Sequence, residues 1–112
     1  MAVPNCLSIR LEEEAYRCTL TLSGELDLFT APLLERAVSR LCAEGAKELV
    51  LDLRPLDFVD VAGLRGVMVA RLSCQESAIR FGIVPGSGPA WRLLQLTQLF
   101  ASLPPAPGRV ES

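Results

Sequence analysis

The sequence predicts an α/β fold: one mixed β-sheet, opened by an N-terminal hairpin, with helices packed against it. Three patterns carry that expectation. Two short runs near the start alternate apolar and polar residues, the period of a half-buried strand. Glu48 to Leu53 is almost continuously apolar, as expected of a strand covered on both faces. Elsewhere, apolar residues recur at helical spacing. After the hairpin, strand and helix patterns alternate, which predicts a mixed sheet with packed helices.

Taken in order, Leu7-Ser8-Ile9-Arg10-Leu11 reads as the first strand and Glu12-Glu13-Glu14 as a charged turn. Tyr16 to Leu22 is the second strand, with Tyr16, Cys18, Leu20 and Leu22 on one face. Ser23-Gly24 ends or bends it. Thr30-Ala31-Pro32 starts a helix: Thr30 can cap it, and Pro32 falls in the first turn, where a missing N–H costs nothing. Leu33, Leu34, Ala37, Val38 and Leu41 form its apolar stripe. Gly45 ends it, since glycine enters the left-handed region without a Cβ penalty. After the Glu48–Leu53 strand, Asp60 caps a second helix whose buried stripe is Leu64, Val67, Met68 and Leu72. Ile79 to Val84 is a further strand, broken by Pro85-Gly86. Ser87-Gly88-Pro89 starts a third helix through Trp91, Leu94 and Leu96. Leu99-Phe100 reads as a short last strand or a packing anchor. The expected layout is one domain over residues 1–103 and a flexible Pro-rich tail over 104–112.

The bulk composition bounds the function. The chain has 112 residues, half of them hydrophobic, enough for one core. Lys and Arg number 11 against 13 Asp and Glu, a net charge of −2. With no basic run, nucleic acid is not an expected partner. No apolar stretch reaches the roughly 18 residues of a membrane span, so direct membrane insertion is not expected. No secretory leader pattern opens the chain, and a cytoplasmic location is expected. Cys6, Cys18, Cys42 and Cys74 are widely spaced, with no Cys-x-x-Cys pair and no His in the chain. No metal site is expected, and the default is reduced, mostly buried thiols. A hairpin would also let Cys6 and Cys18 face each other.

An enzyme is disfavoured. The commonest general base, His, is absent, and Asp57 and Asp60 flank apolar residues instead of forming an acid–base pair. Pro85-Gly86-Ser87-Gly88 lacks the Gly-Lys-Ser/Thr ending of a nucleotide-binding loop. No cofactor is expected.

The most informative stretch is Phe58-Val59-Asp60-Val61-Ala62-Gly63-Leu64-Arg65-Gly66, which follows an apolar strand and opens a helix. It resembles the signature of the STAS domain family, the fold of bacterial anti-sigma factor antagonists. Ser23-Gly24-Glu25-Leu26-Asp27, followed by the Thr30-Ala31-Pro32 helix start, is similar to that family's Gly-Glu-Leu-Asp turn. Leu93-Leu94-Gln95-Leu96-Thr97-Gln98-Leu99-Phe100 is similar to its last helix and exit, with Gln98 where Gly is usual. The resemblance spans roughly residues 7 to 103. It implies a STAS fold and a protein that acts by binding, not by catalysis.

The resemblance further implies a GHKL-type anti-sigma factor and serine kinase as partner. It places the docking surface around Asp27, Thr30, Asp60, Val61, Ala62, Gly63, Leu64 and Arg65. In this family a Ser directly after the loop aspartate takes a phosphate. That adds a charge of about −1.5 to −2 at the docking surface and dissociates the complex. Here the position is Val61, which has no hydroxyl, so the usual switch is expected to be missing. Thr30, Ser73 and Ser77 read as caps or solvated residues. Two other functions stay open: a STAS subunit of a membrane transporter complex, or a ligand-sensing STAS module. A homodimer also stays open.

Overall fold

The computed structural model describes residues 6–86. The expected third helix, the last strand and the tail lie outside the described residues. Within them the order is β1 (Leu7–Glu14), β2 (Arg17–Leu26), α1 (Ala31–Ala43), β3 (Glu48–Asp52), β4 (Leu56–Val59), α2 (Val61–Glu76) and β5 (Arg80–Val84). The sheet is mixed, as expected. β1 and β2 form the antiparallel hairpin, and β3, β4 and β5 all run parallel to their neighbours.

β2 is the organising strand. One of its edges pairs with β1 along almost its whole length, from Leu7 opposite Gly24 to Glu14 opposite Arg17. Its other edge is shared: Arg17 to Thr21 pair with β3, and Gly24 to Leu26 pair with β4. The ladder register shifts between Gly24 and Glu25, so Gly24 bends the strand and does not end it. Gly24 has a φ of 96°. A side chain there would also collide with the Cys6 carbonyl.

Several expectations need correction. Glu12-Glu13-Glu14 is not the turn. It continues β1 as the exposed end of an edge strand, where charge discourages pairing with another chain. The turn is Ala15-Tyr16, with Ala15 at a φ of 47°, and Tyr16 is exposed instead of sharing the Cys18–Leu22 face. β4 was not expected as a strand. It is four residues long and follows the Leu53–Leu56 turn, which is closed by the Leu56 N–H on the Leu53 carbonyl and by Arg54 on buried Asp52 at 2.8 Å. Leu33 and Leu72 are exposed, outside the buried stripes assigned to them. Nor do Cys6 and Cys18 face each other. Cys18 pairs with Glu13, while Cys6 lies at the far end of the hairpin, its carbonyl accepting the Glu25 N–H at 2.8 Å.

The core lies between the sheet and the two helices. Leu20, Leu22 and Leu26 of β2 and Leu49 and Leu51 of β3 meet Leu34 and Val38 of α1 and Leu64 and Val67 of α2. Truncating any one of these leucines to Ala costs about 2–5 kcal/mol. β3 is buried at every residue, as expected of a strand with the apolar centre Leu49-Val50-Leu51 covered on both faces. Its two charged ends are paired: Glu48 with Arg17 at 3.2 Å and Asp52 with Arg54. No described helix is long and apolar enough to cross a membrane.

Both helices end in the same way. At the end of α1, the Gly45 N–H donates to the Cys42 carbonyl and the Ala46 N–H to that of Leu41, each at 3.2 Å. This is a Schellman cap, with Gly45 at a φ of 87°. At the end of α2, Ala78 N–H donates to Gln75 and Ile79 N–H to Cys74, the latter at 2.8 Å. Here Ala78 takes the left-handed position at a φ of 58°, where its Cβ is strained. Replacing Ala78→Gly is expected to raise stability by about 0.5–1 kcal/mol. Urea denaturation at unchanged m-value checks this; an unchanged or lower midpoint refutes it.

Candidate functional site

β2 and β4 are parallel neighbours, so their carboxyl ends emerge side by side. Leu26 is the register partner of Val59, and the Asp60 N–H donates to the Leu26 carbonyl at 3.3 Å. Each strand is followed at once by an aspartate, and each aspartate organises a helix start. The sheet thus brings Asp27 and Asp60 to the same end of the molecule.

Asp60 is the N-cap of α2. Its backbone is extended, and its Oδ1 accepts the Gly63 N–H at 2.8 Å. That satisfies one of the orphan donors of the helix. Asp27 works differently. It is buried, and its Oδ1 accepts from the N–H groups of Phe29 at 2.9 Å and Thr30 at 3.1 Å. Thr30 was expected to cap α1 with its hydroxyl. It holds the cap position but makes no such bond. Its Oγ1 accepts the Asp27 N–H at 2.9 Å and donates to the Glu25 carbonyl at 2.8 Å. Asp27 thus shapes the turn that leads into α1, its backbone carbonyl accepting the Ala31 N–H at 2.8 Å, while Thr30 ties the loop back to β2.

Gly63 and Gly66 set how closely α2 approaches. A Cβ on Gly63 would lie on the Leu26 carbonyl, and one on Gly66 would meet the Ala31 Cβ at 3.0 Å. Small residues at these two points bring the start of α2 down onto the end of β2 and the start of α1.

The eight residues assigned to the site divide by burial. Asp27, Thr30, Gly63 and Leu64 are buried and shape the surface from beneath. Asp60 and Ala62 are half-buried, and Arg65 is exposed. Val61, the first residue of α2, is 52% exposed. An aliphatic side chain therefore faces outward at the mouth of the capped turn.

Sequence reasoning missed the exposed apolar residues of the neighbouring segments. Leu28 and Phe29, in the loop between β2 and α1, are 66% and 70% exposed, and Leu33 and Phe58 are also exposed. All of them belong to the segments at the carboxyl ends of β2 and β4. The available signal was two large apolar residues in a short loop directly after a buried aspartate. Farther along α2, Val69 and Leu72 are exposed on the side that carries Val61 and Arg65. Among the described residues, no group of three or more His, Cys, Asp or Glu side chains could hold a metal ion.

The class is thus a small α/β domain whose hairpin-led mixed sheet delivers two aspartate-organised helix starts to one apolar end. The chain belongs to the STAS domain family, whose model matches residues 8–111. It is 27% identical over 99 residues to the anti-sigma-F factor antagonist RsfB of Mycobacterium tuberculosis, covering 88% of this chain and 80% of that protein. The crystal structure of an anti-sigma factor antagonist from Mycobacterium paratuberculosis matches with a TM-score of 0.79 at 30% identity, over 96% of this chain and 91% of that one. The anti-sigma factor antagonist SpoIIAA in its unphosphorylated form shares the fold, with a TM-score of 0.63 at 21% identity over 80% of this chain and 84% of that one.

The site geometry sets two expectations for stability. Gly63→Ala is expected to cost about 2–3 kcal/mol, because backbone, not a flexible side-chain tip, blocks the added methyl. Asp27→Ala is expected to cost about 1–2 kcal/mol through two lost N–H acceptors. Chemical denaturation measures both, and a Gly63→Ala variant as stable as the parent would contradict the close approach.

Proposed function

We propose that the chain is an anti-sigma factor antagonist that binds a GHKL-type anti-sigma factor through the carboxyl end of its sheet. The reading also holds that it is not phosphorylated at the usual loop position. The observation that carries it is Val61. It stands directly after the capping Asp60, half out of the surface and without a hydroxyl, while the cap itself is intact. Family membership and the two antagonist relatives support the general role. The exposure of Leu28, Phe29, Leu33, Phe58 and Val61 in the segments at this end of the sheet supports docking by burial of apolar surface.

The physical logic is subtraction of a switch. A phosphorylated serine at this position adds a dianion at the helix start and separates the two proteins. Valine can neither accept the phosphoryl group nor imitate its charge. Binding then depends only on the concentrations of the two partners and not on the kinase activity of one of them. Arg65, one turn into α2 and exposed, supplies a charge at the rim of the same surface.

The test is calorimetric titration of the purified chain with the anti-sigma factors of its source organism, with and without ATP. The expected result is one partner whose affinity ATP leaves unchanged, with no phosphate on the chain by mass spectrometry. Val61→Asp is expected to weaken that complex at least about tenfold, or ~1.4 kcal/mol, and Val61→Ser to make the chain a phosphate acceptor. Phosphate on residues 57–65 of the unaltered protein would end the proposal, as would full affinity in the Val61→Asp variant.

A further inference from the structure

A groove of about 360 Å³ opens on the flank of the domain, between β1 and α1. Buried Leu20 and Leu41 form its floor, and half-buried Ile9 and Ala37 line its sides. The strand register explains why it is apolar. Ile9 stands opposite Leu22 and Leu11 opposite Leu20, so β1 turns both side chains toward the helix layer. Among the described residues β1 is the edge of the sheet, and Leu11 stays 44% exposed. The helix layer therefore stops short of this strand, and the methyl group of Ala37 is too small to close the gap.

The rim carries Arg36 and Arg40, one turn apart on the same side of α1. Both are exposed, and among the described residues neither is held in an ion pair or a side-chain hydrogen bond. From this juxtaposition of an apolar groove and two uncommitted guanidinium groups we infer that the groove binds a single-chain anionic amphiphile, a medium-chain fatty acid in chemical class. The carboxylate accepts N–H groups of Arg36 and Arg40 in the charge-assisted geometry that guanidinium favours. The alkyl chain lies over Leu20 and Leu41 and takes the exposed side of Leu11 out of water. The aliphatic stems of the two arginines cover it from above.

The lining selects this class over others. Apart from the two arginines, every side chain in the groove is aliphatic. A sugar or a base would leave its polar groups unpaired against that floor. A small inorganic anion would gain nothing from the floor at all. The volume lies at the lower end of the roughly 300–1,000 Å³ of small-molecule sites, which suits one alkyl chain and not two. The site is separate from the surface around Val61: Leu20 precedes the Gly24–Leu26 segment of β2 that positions the start of α2.

The experiment titrates the full chain with decanoate below its micellar range, by calorimetry and by amide NMR. The expected result is saturable binding, with shifts centred on residues 9–11 and 36–41 and a melting temperature that rises with decanoate concentration. Decan-1-ol has the same chain without the charge and should bind at least about tenfold more weakly, as should decanoate to the Arg36→Gln, Arg40→Gln double variant. That variant alters only exposed side chains, so its unfolding midpoint without ligand should match the parent. Equal affinity for the alcohol, or full affinity in the double variant, would overturn the inference. So would shifts centred elsewhere, or a dimer that buries the groove. Capture by phosphatidylglycerol vesicles without binding of monomeric decanoate would overturn it too, by making the patch a lipid-surface contact. None of these readouts depends on whether an anti-sigma factor binds.

Discussion

The contact on which this structure turns is the seating of Leu26 against Val59 and Gly63. Leu26 ends β2 and Val59 ends β4, and their parallel pairing fixes where two loops leave the sheet. The Leu26 carbonyl accepts the Asp60 N–H, and the same carbonyl occupies the space a side chain on Gly63 would need. One backbone group thus sets both the start and the depth of α2. Everything on the proposed docking surface inherits its position from that contact. Asp27 follows Leu26, Asp60 follows Val59, and the exposed Phe29 and Val61 follow each aspartate by one or two residues.

This arrangement separates shape from signal. The loop around Val61 is held by the Asp60 cap and by the glycines beneath α2, and the neighbouring β2–α1 loop by the bonds of Asp27 and Thr30. None of these uses the side chain at position 61. A family member can therefore exchange a hydroxyl for an isopropyl group there without disturbing the scaffold. The exchange adds apolar area to an end of the molecule that already exposes Leu28 and Phe29, and exposed apolar area favours association. A structural residue at the same place would have tied loss of the switch to loss of the fold.

How much of this was legible in the sequence depends on the kind of interaction. Patterns with a local cause were readable: the alternation of Cys18, Leu20 and Leu22, the unbroken apolar run of β3, the Asp60 cap and the Gly45 terminus. Features fixed by register across the sheet were not. β4 is too short to show alternation, and nothing local marks Leu56–Val59 as the partner of Gly24–Leu26. The three glutamates of β1 read as a turn, because an edge strand at the rim of the core needs no apolar face. Leu33 and Leu72 fit helical stripes by spacing but fall on the outer edges of α1 and α2. The site residues were found through motif resemblance. That identifies conserved-type positions such as Asp27 and Gly63, but it is silent on the exposed Leu28 and Phe29, whose role is to be surface. The Ala78 cap went unseen because the sequence offers no glycine there.

The two ends of the helix pair carry different demands. At the start of α2, close backbone approach requires small residues, and Gly63 and Gly66 supply them. At the far end the helices must still meet, yet the last turns already spend their carbonyls on Schellman bonds to Gly45, Ala46, Ala78 and Ile79. A side chain placed there should be compact and ask for no further backbone partner. Cysteine meets that requirement as a small, weakly polar residue. Packing alone would therefore accept Ala at either Cys42 or Cys74, whereas Ser at the fully buried Cys74 would bring in a hydroxyl that needs a partner. The helix ends can therefore vary in side chain without disturbing the opposite end, whose shape is set by Leu26, Asp27 and Asp60.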